Sequence, residues 1–283
     1  MPLALLSLAL IAGREPGRYY ASPVGATAAT GQAPRDAIPA HDSFTVQSTA
    51  LGEARRVNVY VPPQYRAPSG GAAAPLPVLY MPDGGLNEDF PHVVHTVDSL
   101  IARRLIRPVI VVGVPNTERR RDLTGPTRVK SDSAIAPRVG GSAAFRRFLR
   151  EELVPEVERR YRTTKERGLI GESLAGLFVV ETLLEEPTLF THYIALDPSL
   201  WWNAGMLVDS AAARIAAFDA AARTLYLASS REPSTAVGSA RLDSLLRARP
   251  PSGLRWRYEP RPDLEHSTIF RALEGAALAD ALH

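Results

Sequence analysis

The chain of 283 residues contains no cysteine, which excludes a disulfide framework, a thiolate nucleophile and a cysteine-ligated zinc site. Redox compartment therefore cannot be read from thiols. Lysine is nearly missing too: Lys130 and Lys165 stand alone, and arginine supplies the rest of 33 cationic side chains set against 30 carboxylates. Those arginines alternate with acids, as in Arg146, Arg147, Arg150, Glu151 and Glu152. That is the pattern of a solvated helix face and not of a nucleic-acid groove. The N-terminal apolar run PLALLSLALIA has 11 residues, too short to span a bilayer. Gly and Pro, at 20 and 24 residues, fall short of low-complexity sequence. What remains is 45% hydrophobic and 22% charged, the balance of a globular chain with a sizeable core.

The apolar run has the length of a signal-peptide core, and Ala26-Thr27-Ala28 offers an A-x-A cleavage site, although no Lys or Arg precedes the run. Residues 1–28 are therefore expected to be a signal peptide, with a periplasmic or secreted location, or a cytoplasmic one if the run is not a signal. Residues 29–42 read as a flexible segment, because Gly, Ala, Pro and Thr recur there without periodicity.

Residues 43–283 read as one α/β domain. SFTVQSTAL (43–51) and ARRVNVYVP (54–62) alternate like a half-buried antiparallel pair turning at Gly52-Glu53. LPVLYMP (76–82) and RPVIVVGV (107–114) are nearly continuous apolar runs, as strands covered on both faces are. Further strands are expected at 167–172, 191–197, 223–229 and 254–260, with helices at 91–105, 142–161, 174–186, 205–221, 239–249 and 267–282. Strands alternating with helices imply a mainly parallel central sheet, preceded by the antiparallel N-terminal strand pair and with helices on both faces.

Open parallel sheets place their chemistry beyond the carboxyl ends of the strands. There a short apolar strand runs into Gly171-Glu172-Ser173-Leu174-Ala175, followed by helical spacing. This is a G-x-S-x-G nucleophile elbow with Ala in the last place; the turn needs small residues two before and two after the serine because strand and helix approach closely. A serine hydroxyl needs a base. Of the histidines, His266 alone lies late enough in the chain and between a strand and the last helix. The acid should follow a late strand. Glu232, just after LYLASS, is favoured, with Asp197, Asp243, Asp263 or no acid as alternatives. Oxyanion donors are expected from the N–H of Leu174 and, in the Asp83-Gly84-Gly85 turn, from Gly85, with Gly84 as the alternative.

From about residue 45 to 280 the chain resembles the esterase branch of the α/β-hydrolases that contains the enterobactin and bacillibactin trilactone esterases. The motifs are VLYMPDGG, VGVPNTERRRDLTGP, FRRFLREELVPEVERRYRT, LIGESLAGLFVVETLLEEPTLF, DPSLWWN and LEHSTIF. The resemblance implies an α/β-hydrolase fold and a serine carboxyl-ester hydrolase without metal or organic cofactor. It departs from that branch at Glu172 and Ala175, where His and Gly are usual, and at Asp197, where serine is more common.

Arg119 and Arg121 follow a strand on the same side and could clamp an acidic or catecholate substrate. Trp201 and Trp202 could wall an acyl pocket. His92, His95 and Asp98 share a helical face but have no recognised metal spacing, so no metal is expected. The expected partner is a small-molecule ester, with neither nucleic acid nor stable membrane insertion; oligomeric state is not legible. A non-catalytic siderophore- or glycan-binding protein, and an acyltransferase using the same serine, are the alternatives.

Overall fold

Seven consecutive buried residues at 76–82 and five at 110–114 form the centre of an eight-stranded sheet in the computed structural model, which describes residues 37, 39–66, 74–219 and 221–283. The expected signal peptide and most of the expected flexible segment lie outside the described residues. In chain order the strands are β1 (Asp42–Ser48), β2 (Glu53–Tyr60), β3 (Leu76–Pro82), β4 (Ile110–Val114), β5 (Thr163–Glu172), β6 (His192–Leu196), β7 (Arg223–Ser229) and β8 (Leu254–Pro260). The helices are α1 (Phe90–Ala102), α2 (Arg119–Asp122), α3 (Lys130–Ser133), α4 (Ser142–Phe148), α5 (Val154–Arg160), α6 (Leu174–Glu185), α7 (Met206–Ile215), α8 (Pro233–Ala248) and α9 (His266–Leu282).

The spatial order is β1-β2-β4-β3-β5-β6-β7-β8. β2 runs antiparallel to both β1 and β4, and every pairing from β4 through β3 to β8 is parallel. Because side chains alternate across a strand, the sheet divides the core in two. Val78, Tyr80, Val112, Leu169, Tyr193 and Leu225 face one layer with Phe145, Phe148, Leu177 and Leu242. Leu79, Met81, Val111, Ile170, Ile194 and Tyr226 face the other, where α1 and α9 supply Phe90, Val97, Phe270 and Leu278. Among the described residues no helix is long and apolar enough to cross a membrane.

Two expected helices differ in form. The helix expected at 142–161 is broken into α4, a wide turn at Leu149–Leu153 and α5. Pro155 lies at the start of α5, where it has no N–H to continue the ladder from the preceding turn. α8 begins at Pro233 and not at 239, since proline's fixed φ suits a first helical turn even where the sequence there lacks an apolar stripe.

The α1 and α9 layer is tied by a buried polar cluster. His92 of α1, 5% exposed, contacts Glu274 of α9 through Nδ1 at 2.6 Å and Asp89 through Nε2 at 3.1 Å. Its ring also meets Phe270 edge-on, and the Thr96 hydroxyl donates to the second oxygen of Glu274. Burial pulls the imidazole pKa down, but the bonds to Asp89 and Glu274 outweigh it and push it up to about 9. Charged His92 thus contributes stability that is complete below about pH 6.5 and is lost as pH rises through about 9. His92→Phe strands two carboxylates and is expected to cost about 3–5 kcal/mol near neutral pH. Urea unfolding from pH 6 to 10 should show the gap to the parent narrowing from about pH 6.5 and levelling off above about pH 9; a constant gap would mean that packing, not charge, is lost.

Candidate active site

Three strands of the parallel sheet end in non-glycine residues with left-handed backbone: Asp83 after β3 (φ 55), Ser173 after β5 (φ 58) and Asp197 after β6 (φ 47). Such conformations cost of order 1–3 kcal/mol each and persist where surrounding structure imposes them. At Ser173 the cause is the direct passage from β5 into α6. A Cβ on Gly171 would sit 2.6 Å from the Cβ of Ala175, so glycine is required at the first of the two small positions, while Ala175 is accommodated at the second. The elbow is then fixed by Ser173 N–H donating to Leu196 O at 3.1 Å and Ser199 N–H donating to Ser173 O at 3.0 Å.

His266, the first residue of α9, brings Nε2 to 3.1 Å from Ser173 Oγ and Nδ1 to 2.6 Å from Asp197 Oδ2. Asp197 is fully buried while His266 is 40% exposed. Ser230, just past β7, donates its backbone N–H and its hydroxyl to the two Asp197 oxygens, each at 2.7 Å. Burial raises the Asp197 carboxyl, but hydrogen bonds from His266, Thr235 and Ser230 outweigh it and hold it below the usual range. For His266 the bond to Asp197 is the largest influence and raises the imidazole; burial opposes it, and Glu172 adds to it.

The carboxylate against His266 is thus Asp197, not the favoured Glu232. Glu232 caps the start of α8, where its carbonyl accepts from Thr235 and Ala236 and its N–H donates to Ser230 Oγ at 3.1 Å. It contributes to the potential at His266 only as the smallest of the named charges. The other two alternatives lie elsewhere: Asp243 accepts from Arg247 and Trp256 within the α8–β8 layer, and Asp263 pairs with Arg261.

Leu174, as the first residue of α6, has an N–H without an intrahelical acceptor. Gly85 differs from expectation: its N–H donates to Glu88 Oε2 at 2.7 Å. Gly84 is turned away as well. Its N–H donates to Val114 O at 3.0 Å, and a Cβ there would lie 2.2 Å from Val114 N, so that glycine serves a backbone crossing with β4. Glu88 is held in addition by Asn116 Nδ2 at 3.0 Å.

The two arginines are already bound. Arg119 gives two hydrogen bonds to Asp83, at 2.7 and 2.8 Å, and stays 36% exposed. Arg121 is directed to the β2 side, where it binds Glu53 and Asp122; Asp122 in turn holds the buried Arg55 at 2.5 Å. Arg119, Arg120, Arg121 and Arg138 line an open cavity of about 570 Å³ whose lining does not include Ser173 or His266. The tryptophans part company as well. Trp202 is buried and donates Nε1–H to Gly125 O at 2.8 Å, covering the core, whereas Trp201 is 39% exposed, its ring tilted against that of Trp202 at 6.1 Å. Among the described residues no group of His, Asp and Glu is arranged to hold a metal ion.

In the sequence Glu172 stands out only as a departure from the usual elbow. Burial pushes its carboxyl up to about 7; His266 opposes this, Asp89 and Asp197 add to it, and Arg119 opposes.

The strand order and the serine elbow together define an α/β-hydrolase. The profile of the family described as "Putative esterase" matches residues 48–249, and the chain belongs to that family. Its relatives include the ferri-bacillibactin esterase BesA of Bacillus subtilis, 33% identical over 57% of this chain and 62% of that one. The siderophore triacetylfusarinine C esterase of Aspergillus fumigatus is 28% identical over 62% of this chain and 61% of that one. The chain therefore spans about three fifths of the length of these relatives. Among solved structures, an IroE-like serine hydrolase from Shewanella oneidensis superposes with a TM-score of 0.74 at 26% identity, covering 86% of this chain and 79% of that one. The BES protein of Bacillus cereus shares the fold, with a TM-score of 0.73 at 22% identity over 84% and 94%.

Because the Glu172 carboxylate favours the imidazolium, Glu172→Gln is expected to move the titration of His266 to lower pH. An NMR titration of the imidazole protons measures it. An unchanged or raised midpoint would mean that Glu172 carries little charge beside the ring.

Proposed function

We propose that the chain is a serine carboxyl-ester hydrolase that works through an acyl-enzyme on small acyl esters, siderophore ester linkages among them. The observation that carries this reading is the continuous hydrogen-bond path from Ser173 Oγ to His266 Nε2 and from His266 Nδ1 to Asp197. A carboxylate only accepts hydrogen bonds, so Nδ1 carries the ring proton and Nε2 is left as the base. Ser173 Oγ attacks the ester carbonyl carbon as its proton passes to Nε2. The imidazolium, stabilised by buried Asp197, returns that proton to the departing alcohol, and water then repeats the sequence on the acyl-enzyme.

The N–H of Leu174 supplies one oxyanion donor. Gly85 supplies the second when the developing oxyanion takes the place of the Glu88 carboxylate, itself an anion of similar hydrogen-bonding character. Trp201 offers an apolar face for the acyl or aryl part of the substrate. The names of the siderophore esterase relatives, together with the serine hydrolase that shares the fold at 26% identity, support a substrate of that class.

A phosphonate serine probe is expected to label Ser173, and Ser173→Ala should abolish turnover of p-nitrophenyl esters from acetate to octanoate and of a catecholate trilactone assayed beside them. Asp197→Asn is expected to lower kcat by about 10³–10⁴, and Glu232→Gln by less than about threefold. The reverse ranking would return the acid role to Glu232. Absence of both labelling and turnover would sink the esterase reading and leave a binding protein on this scaffold. Glu88→Ala should raise kcat/KM for small esters severalfold by freeing the Gly85 N–H; a fall would assign Glu88 the bracing of that loop instead.

A further inference from the structure

The hydroxyl of Ser199 lies 3.3 Å from Ser173 Oγ, on a residue only 3% exposed. The loop that carries it, Asp197-Pro198-Ser199, is also the loop that carries the carboxylate. It lies directly on the first turn of α6, where a Cβ on Gly176 would come within 3.1 Å of Pro198 Cα and of Leu196 O. Ser199 N–H donates to Ser173 O, so the two serines are locked together by main chain as well as by side chain.

The direction of the side-chain bond follows from proton counting. His266 Nδ1–H is given to Asp197, so Nε2 has no proton and the Ser173 hydroxyl hydrogen goes to Nε2. Ser173 Oγ then has only lone pairs to offer, and the hydrogen between the two hydroxyls is that of Ser199. Resting on the esterase reading above, we propose that Ser199 is a further catalytic residue, donating a hydrogen bond to Ser173 Oγ that acts mainly in breakdown of the acyl-enzyme.

The asymmetry arises from what Oγ is in each step. In acylation Oγ begins as a hydroxyl, a good acceptor, and ends as an ester oxygen, a poor one. The Ser199 bond therefore stabilises the start about as much as the transition state and contributes little to the rate. In deacylation water adds to the acyl carbon and gives a proton to His266; the C–Oγ bond then breaks, its electron pair remains on Oγ, and Oγ takes the proton from Nε2. Here Oγ passes from a poor acceptor to an oxygen with alkoxide character, and a donor already aimed at it gains strength as the charge develops. Ser199 keeps its own proton throughout.

Rapid mixing of the full chain with p-nitrophenyl acetate reads the two steps separately, as the burst rate for acylation and the steady rate for deacylation. Ser199→Ala is expected to slow deacylation about tenfold while changing the burst rate less than about twofold and leaving phosphonate labelling of Ser173 intact. Ser199→Thr, which retains the hydroxyl, should restore most of the steady rate. Equal losses in both phases, or no loss in either, would overturn the proposal. Failure of the esterase reading would look different, because the parent protein itself would then give neither burst nor label.

Discussion

The short hydrogen bond between His266 Nδ1 and Asp197 decides the proton placement of the whole site. A histidine ring is chemically ambiguous until one nitrogen is committed, and a fully buried carboxylate with a 2.6 Å contact commits it. Once Nδ1 holds the proton, Nε2 must accept, the Ser173 hydroxyl must donate to it, and the hydrogen between Ser173 and Ser199 must come from Ser199. Burial of the carboxylate is tolerable because Ser230 and Thr235 satisfy it as well, and an unpartnered charge at that depth would cost several kcal/mol.

That arrangement depends in turn on the sheet. Parallel strands β3, β5 and β6 deliver Asp83, Ser173 and Asp197 to one edge, each with the backbone turned into the left-handed region immediately after the strand. Glycine would adopt that conformation more easily, yet each position needs its side chain. The strain is offset by close contacts that leave the backbone no alternative: Gly171 against Ala175 and Gly176 against the Asp197–Ser199 loop. The fourth participant, His266, comes from the far end of the chain, and α9 is held against α1 by the His92 cluster. Stability of the α1 and α9 layer and placement of His266 are therefore linked through one helix.

The alternation of apolar strands with helices made the sheet legible, and the Gly-x-Ser-x-Ala spacing with chain order singled out Ser173 and His266, which the fold brings to 3.1 Å of each other, because those signals are local or ordinal. The carboxylate that meets His266 was not legible. Asp197 and Glu232 both follow strands, both lie between serine and histidine in sequence, and both end near the same edge; only depth and the Ser230 donors separate them. Trp201 and Trp202 are adjacent in sequence, so no pattern could tell that one covers the core and the other faces outward. The occupation of the Gly85 N–H by Glu88 depends on a side-chain rotamer inside a four-residue turn, information that composition and periodicity do not contain.

The arginine-rich segment shows the same limit from the side of energetics. Three consecutive arginines after a strand invite the reading of an anion clamp, but a guanidinium satisfies its five donors wherever acceptors are fixed nearby. Arg121 finds Glu53 and Asp122, and through Asp122 joins the buried Arg55, so its charge is spent tying α2 to β2. Arg119 binds Asp83 with two nearly parallel bonds but remains partly exposed at the strand end. A substrate anion meeting Arg119 would have to share it with Asp83, in the neighbourhood of Asp89 and Glu172. Formal charge along the sequence is therefore a poor guide to the potential in the site. What counts is the charge left after each arginine has been matched to the carboxylates that the fold places against it.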